Sequence, residues 1–431
     1  MTPPVPSKGS LPVIPRSSGR AGRRGIRLSL SLISVSFALA ALLLPPSRPA
    51  VSPGGEPRLE LGPGPDVSGF ARATRVRSFV LPADHGPHFE FQTEWWYYTG
   101  NLVAADGRRF GFQLTFFRRG LSPGPPPESL GLASNQVYFA HFAITDVAAG
   151  RHTAAERFSR GAGGLAGATG DPFAVWLEDW RADSLNDDGS AVRLVARDAA
   201  KSLSLDLELR ATKPLVAHGD RGLSPKSDEP GNASYYVGYT RMAARGRVGT
   251  SGGTGGSGNL PEVAVSGEAW FDHEWSTSAL GAGAVGWDWF SLQLDDGREL
   301  MHFQIRREDE SVEPASGGTL VERDGRTRRL SRDDVKIEVL RRWTSPETGG
   351  TYPSRWRLTV PTEGLDLLVE PWLDAQEMRT SFVYWEGAVR VSEAAPQISD
   401  VDGRPRPGPP PANGRGYVEL TGYAASMQGV F

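Results

Sequence analysis

Three short stretches set an acid among large aromatic side chains: "EWWYYTG" (94–100), "FDHEW" (271–275) and "GWDWF" (286–290). A carboxyl walled by rings loses hydration, which disfavours its charged form and raises its pKa. Such a group keeps its proton near neutral pH and can serve as a general acid. On an extended strand alternate side chains share a face. Glu94, Trp96 and Tyr98 therefore go together, and Trp95 and Tyr97 point the other way. The same rule sets His273 and Trp275 against Asp272 and Glu274, and Trp287 and Trp289 against Asp288 and Phe290. The ordinary alternative for the first stretch is a barrel strand whose rings fill a core while Glu94 forms a buried or rim ion pair.

These residues need strands to position them, and the chain supplies strand patterns throughout. "NLVAADGRRFGFQLTFFRR" reads as two strands joined at Asp106-Gly107, a hairpin signal. Further strands are expected at 137–146, 191–197 and 203–210, where Leu203, Leu205, Leu207 and Leu209 alternate with polar residues. After Trp270 the order repeats: "WDWFSLQLDDGRELMHFQIRR" follows "WYYTGNLVAADGRRFGFQLTFFRR", with "DGR" at Asp106 and Asp296, and "FQL" at Phe112 matched by "FQI" at Phe303. No segment carries a long helical period, and 52 Gly with 34 Pro imply many turns. The fold class expected is all-β: two antiparallel β-barrels or sandwiches in series, one over 85–269 and one over 270–431. Residues 51–84 read as a Pro/Gly-rich tether, and "TSGGTGGSGNLP" as a long loop.

The chain has 431 residues and a net charge of −3, which gives no reason to expect nucleic acid as a partner. With no cysteine, disulfides, thiolate metal sites and a Cys nucleophile are excluded. The seven histidines, at 85, 88, 141, 152, 218, 273 and 302, contain no helical His-x-x-x-His pair, so no metal site is expected. No Walker A motif or Gly-x-Ser-x-Gly elbow is present. Arginines at 16, 20, 23, 24 and 27 precede an uncharged run at 28–44, with Ala50 at a cleavage position: residues 1–50 read as an export signal or an uncleaved membrane anchor. A periplasmic or secreted location is expected.

"HFEFQTEWWYYTGNL", "GEAWFDHEWS" and "GWDWFSLQLDDG" together resemble the AttH/CrtC group, the lipocalin-like hydroxyneurosporene synthase proteins that include carotenoid hydratases and a fungal kievitone hydratase. The resemblance covers the chain from about His85 onward. It implies two lipocalin-like barrels and, in enzymatic members, cofactor-free addition of water to an alkene of an apolar substrate. Such chemistry needs a proton donor and a shelter for a carbocation, and aromatic faces attract a cation by about 0.5–2 kcal/mol each. By resemblance Asp288 is the acid, His273 assists by orienting water, and Glu94, Trp95, Trp96, Tyr97, Tyr98, Trp275, Trp287 and Trp289 line the substrate site. The alternative the resemblance leaves open is a carrier without catalysis, holding a lipid or other apolar ligand for an ABC-type export permease.

Overall fold

The aromatic run at 94–98 is extended, and its two faces meet different surroundings. The computed structural model describes residues 67–126, 134–250, 262–277, 280–394 and 413–428. The apolar run at 28–44 lies outside them, as does nearly all of the glycine-rich loop. Among the described residues no helix is long and apolar enough to cross a membrane.

The first sheet contains β1 (Thr93–Ala104), β2 (Arg109–Gly120), β3 (Gln136–Asp146), β4 (Arg151–Arg160), β5 (Ala166–Gly170), β6 (Phe173–Leu177) and β7 (Trp180–Ser184). It continues through β8 (Ala191–Asp198), β9 (Leu203–Ala211), β10 (Val216–Ala217), β11 (Leu223–Pro225), β12 (Ala233–Gly249) and β13 (Glu262–Ser276). The second contains β14 (Ala284–Leu294), β15 (Glu299–Arg307), β16 (Gly317–Val321), β17 (Thr327–Ser331) and β18 (Lys336–Thr344). Then follow β19 (Thr351–Val360), β20 (Leu365–Pro371), β21 (Glu377–Arg379), β22 (Val383–Glu393) and β23 (Gly414–Leu420).

Every pairing is antiparallel. The first sheet runs β4-β3-β2-β1-β13-β12-β9-β8-β7-β6-β5 and nearly closes into a barrel, while the second, β17-β16-β15-β14-β23-β22-β20-β19-β18, curls into a half-barrel. Arg157 ties the barrel seam: its Nη2 donates to the Arg197 carbonyl at 2.9 Å and its guanidinium lies 4.5 Å above the Trp180 ring. The repeat read in the sequence is a repeat of topology. In each sheet the first long strand pairs with its hairpin partner on one side and with the last strand on the other, β1 between β2 and β13, β14 between β15 and β23. Both Asp-Gly-Arg turns are built alike, with Gly107 at φ 85° and Gly297 at φ 87°, a region that favours glycine.

The change of sheet comes later than the sequence pattern suggested. All of β13 to Ser276 pairs with β1 and β12, so 270–276 complete the first sheet and the second begins at Ala284. The expected tether is also shorter than 51–84. Phe79 packs edge-on against Tyr235 and Trp275, Ala73 is buried, and Arg77 pairs with Asp84 at 2.6 Å, so this segment is part of the packed body.

Three of the apolar clusters show what strand alternation does. Trp96, Tyr98, Phe112 and Leu114 help fill the barrel, and Phe290, Leu292, Trp356 and Trp385 fill the half-barrel. The third joins the sheets: Tyr97, Tyr236, Trp270, Trp289, Phe303 and Tyr417. Polar pegs cross the same interface. Asn101 Nδ2 donates to the Gly416 carbonyl at 2.9 Å, and Gln293 Nε2 donates to the carbonyls of Thr240 and Ala269, each at 2.9 Å. Glu299, fully buried on β15, pairs with Lys213 of the β9–β10 connection at 2.7 Å and with Arg241 of β12 at 2.6 Å. Removing Glu299 would leave Lys213 enclosed without its carboxylate and Arg241 with Glu268 alone. Glu299→Ala is expected to lower unfolding stability by about 3 kcal/mol, measured by urea denaturation; an unchanged midpoint would show that the pegs carry none of the docking.

Candidate active site between the two sheets

One residue from each of five neighbouring strands of the first sheet forms a polar row across its outer face. Cross-strand register aligns Glu156 (β4) with His141 (β3), His141 with Thr115 (β2), Thr115 with Tyr97 (β1), and Tyr97 with Asp272 (β13). Gly238 on β12 ends the row, and a Cβ there would stand 2.5 Å from Asp272 Oδ1, so glycine makes room for the carboxyl. The second sheet faces this row across a cavity of 860 Å³, its open mouth included. Trp287 and Trp289 of β14, Phe303 and Ile305 of β15, Tyr384 and Glu386 of β22 and Glu419 of β23 wall it from that side; Trp95, Tyr97, Phe117 and Tyr236 are among the first sheet's contributions.

Four carboxyls enter this aromatic space with one lysine. Lys226 pairs with Glu274 at 2.7 Å and lies 4.5 Å from the Phe303 ring centre. Among the described residues the other three acids pair with no lysine or arginine, and His218, 3.8 Å from Asp272, is lowered to about 3 by burial. Burial pushes Asp272 up to about 8, even though Tyr236 Oη donates to it at 2.7 Å and Trp270 Nε1 at 2.8 Å. Glu386 and Glu419 stand opposite each other in the β22–β23 register. Burial, with the neighbouring Glu419, raises Glu386 well above the usual carboxylate range; burial likewise lifts Glu419 to about 7 against a hydrogen bond from the Trp287 side chain. Tyr97 Oη donates to Glu386 Oε1 at 2.5 Å, and Glu386 Oε2 is buried with no hydrogen-bond partner. Glu386 is therefore a carboxyl whose neutral form is favoured, with one oxygen free, in a ring-lined cavity.

The residues singled out in the sequence divide among three places. Trp95, Tyr97, Trp287 and Trp289 line the cavity. Trp96 and Tyr98 are in the barrel core, and Glu94, His273 and Trp275 lie on that same face of their strands. There His273 Nε2 and Glu94 Oε1 are 2.9 Å apart, His273 stacks on Trp96 at 5.0 Å, and His88 stacks on Trp275 at 3.8 Å. Burial alone would raise the Glu94 pKa, but Arg118 at 2.8 Å and hydrogen bonds with His273 and His88 outweigh it and hold the carboxyl well below its ordinary range. Asp288 shares the Phe290 face of β14, away from its flanking tryptophans. It accepts from Arg306 Nε at 2.9 Å, Gln304 Nε2 at 2.8 Å and Tyr423 Oη at 3.1 Å, and it does not line the cavity. The bulge in β14, between Ala284 and Gly286, ends before Asp288 and does not re-aim it.

The sequence reading set Asp272 and Glu274 on one face without giving them roles, and it passed over Glu386, Glu419, Tyr236, Tyr384 and Lys226. A signal was present for two of them. Tyr384 and Glu386 stand two apart in "VYWEG", the same aromatic-acid alternation as Glu94 and Trp96. Among the described residues, His88, Glu94 and His273 form a group whose ligating atoms lie within 4.8 Å of one another and could hold a metal ion. Arg118 already supplies positive charge to that carboxylate, which makes it a poor cation site.

A nearly closed antiparallel barrel and a half-barrel, with an acid-bearing aromatic cavity between them, define a two-part lipocalin-like protein. The chain belongs to the AttH-like family, whose model matches residues 72–423. It is similar to the crystal structure of an AttH protein from Nitrosomonas europaea, with 33% identity and a TM-score of 0.68, covering 82% of this chain and 100% of that one. Kievitone hydratase from Nectria haematococca shares the fold at 15% identity and a TM-score of 0.58, covering 84% of this chain and 98% of that one. No curated protein sequence matches the chain.

The charge state of Glu386 has a measurable consequence. Because its folded pKa is raised, the unfolded chain releases this proton near the ordinary value of 4.5 while the native protein keeps it. Stability is then lost as pH rises from that value toward the folded pKa. Glu386→Gln, which retains an acceptor for Tyr97, is expected to match the parent at pH 4 and to exceed it increasingly up to pH 8. Thermal denaturation across that range checks this; a constant offset would mean that Glu386 is ionised in the native state.

Proposed function

We propose that this protein adds water to an isolated alkene of an apolar molecule, with Glu386 as the general acid. The observation that carries the reading is Glu386 Oε2, buried without a hydrogen-bond partner in a cavity walled by tryptophan, tyrosine and phenylalanine, on a carboxyl whose neutral form burial favours. Proton transfer from Oε2 to one alkene carbon uses the π electrons to form the C–H bond and leaves a cation on the neighbouring carbon. The rings of Trp95, Trp287 and Trp289 shelter that cation. Water then forms the C–O bond and loses a proton, and Glu386 is reprotonated, so the balance is alkene plus water giving an alcohol. No cofactor is required.

Asp272, raised to about 8 and held by Tyr236, is the second candidate acid. The acid role expected at Asp288 moves to these residues because Asp288 is closed off by Arg306, Gln304 and Tyr423. His273 acts on the barrel side by fixing Glu94 and does not meet the substrate. Kievitone hydratase, which shares the fold, is by its name a hydratase, and that agrees with the reading. We propose further that the basic and apolar segment within 1–50 exports the protein, so that its substrate is a lipid or apolar small molecule met outside the cytoplasm.

The test is incubation of the protein with a lipid extract in oxygen-18 water, read by mass spectrometry. A product heavier by one labelled water is expected from the parent, with a loss of about 10²-fold or more in Glu386→Gln and a much smaller loss in Asp288→Asn. Ligand returned unlabelled by the parent would overturn the hydratase reading in favour of a carrier that delivers apolar ligand to an export permease.

A further inference from the structure

The polar row on the first sheet does not end at the cavity. Beyond Thr115 it continues to His141 and Glu156, and these two meet the second sheet at Tyr384. His141 Nδ1 lies 2.8 Å from Tyr384 Oη, and His141 Nε2 lies 2.9 Å from Glu156 Oε1. Glu156 also accepts from Ser381, through the backbone N–H at 2.9 Å and through Oγ at 2.7 Å. His141 is fully buried, whereas the Glu156 side chain is 17% exposed.

We propose that Tyr384 takes the proton from the attacking water and that His141 and Glu156 are the positioning residues that make it able to do so; this rests on the hydration reading above. The direction of the hydrogen bonds carries the argument. The hydrogen bond with His141 and those from Ser381 keep the Glu156 carboxyl ionised despite partial burial, so it can only accept. His141 Nε2 is then the donor, and in the neutral ring this leaves a lone pair on Nδ1 for the Tyr384 hydroxyl. The phenol proton is turned toward His141, and the Tyr384 oxygen offers a lone pair to the cavity that its side chain lines.

The proton balance closes. Water bound to Tyr384 gives its proton to Oη as it forms the C–O bond, the phenol's own proton moves to His141 Nδ1, and the imidazolium is stabilised by Glu156 at the solvent edge. A nucleophile or its base backed by a base–orienter pair is the general logic of catalytic triads. Tyr384 and Glu386 stand two apart on one face of β22. Acid and base therefore reach neighbouring alkene carbons from one side, and the addition is syn.

A trio that only cross-links the sheets would show the same distances, so the test reads polarity and turnover separately from folding. In nitrogen-15 NMR of the full chain, with the His141 signals assigned through His141→Gln, the neutral tautomer bearing hydrogen on Nε2 is expected. Hydrogen on Nδ1 overturns the proposal. Tryptophan fluorescence then compares binding of limonene and of α-terpineol, the tertiary alcohol that water addition to limonene gives. The parent is expected to prefer the alcohol by roughly tenfold, about the worth of one hydrogen bond, and Tyr384→Phe to lose that preference while still binding limonene. A preference that survives Tyr384→Phe, or a parent with none, overturns it as well. In turnover, Glu156→Gln is expected to lower kcat by about 10²-fold with KM unchanged; a rise in KM alone would mark a cross-link. Unlabelled product from the parent, together with the expected tautomer and alcohol preference, would sink hydration while leaving Tyr384 as the cavity's hydrogen-bond acceptor.

Discussion

The strands at the centre of this protein are dry on both faces, and that constraint governs the rest. In an ordinary barrel the outer face is wet, and polar side chains there are satisfied by water. Here β1, β2 and the second half of β13, from Ala269 on, are buried on the inside by the barrel core and on the outside by the second sheet. Each polar group on the outer face must then find a protein partner or lose its charge. Tyr97 finds Glu386, Asn101 finds a carbonyl of β23, and His141 finds Tyr384. The contacts that dock the sheets and the contacts that make up the site are thus largely the same.

Two acids on adjacent strands show how the outcome depends on cations. Glu94 and Asp272 are both buried, on opposite faces of the paired strands β1 and β13. Glu94 has a guanidinium against it and is anionic. Asp272 has a phenol, an indole and, 3.8 Å away, the ring of His218, which burial lowers to about 3; Lys226 is engaged by Glu274, so Asp272 retains its proton up to about 8. The barrel side is therefore a structural lock that anchors His88 and the segment before β1. The cavity side keeps acids ready to give protons. Burial alone does not distinguish these roles; the placement of Arg118 does.

The cavity's location explains why a chain built from two similar halves has a single acid-bearing site of this kind among its described residues. Each sheet folds around its own apolar cluster. The space arises where the outer face of the first sheet meets the face of the second that points away from the half-barrel core. Small residues set how closely they approach: at Gly111 a Cβ would stand 2.5 Å from the Ala388 Cβ, and at that contact the sheets touch.

The fold class was written in local pattern. Alternation at Leu203–Leu209, the paired Asp-Gly-Arg turns and the repeated aromatic-strand order specify antiparallel strands and two related sheets, because hairpin turns and period-two burial are properties of short stretches. Alternation also told which side chains share a face, and it was right that Asp288 points away from its tryptophans. Which face would become a site was not in the sequence. That depended on bringing Glu156, His141, Thr115, Tyr97 and Asp272 into register across four strand pairs, and on setting Glu386 and Tyr384 opposite them from a chain segment more than a hundred residues beyond the nearest of these, Asp272. Register across a sheet and the docking of one sheet on another are long-range facts. The charge of a buried acid follows from them, since it is decided by the one or two groups that tertiary structure places within hydrogen-bonding distance.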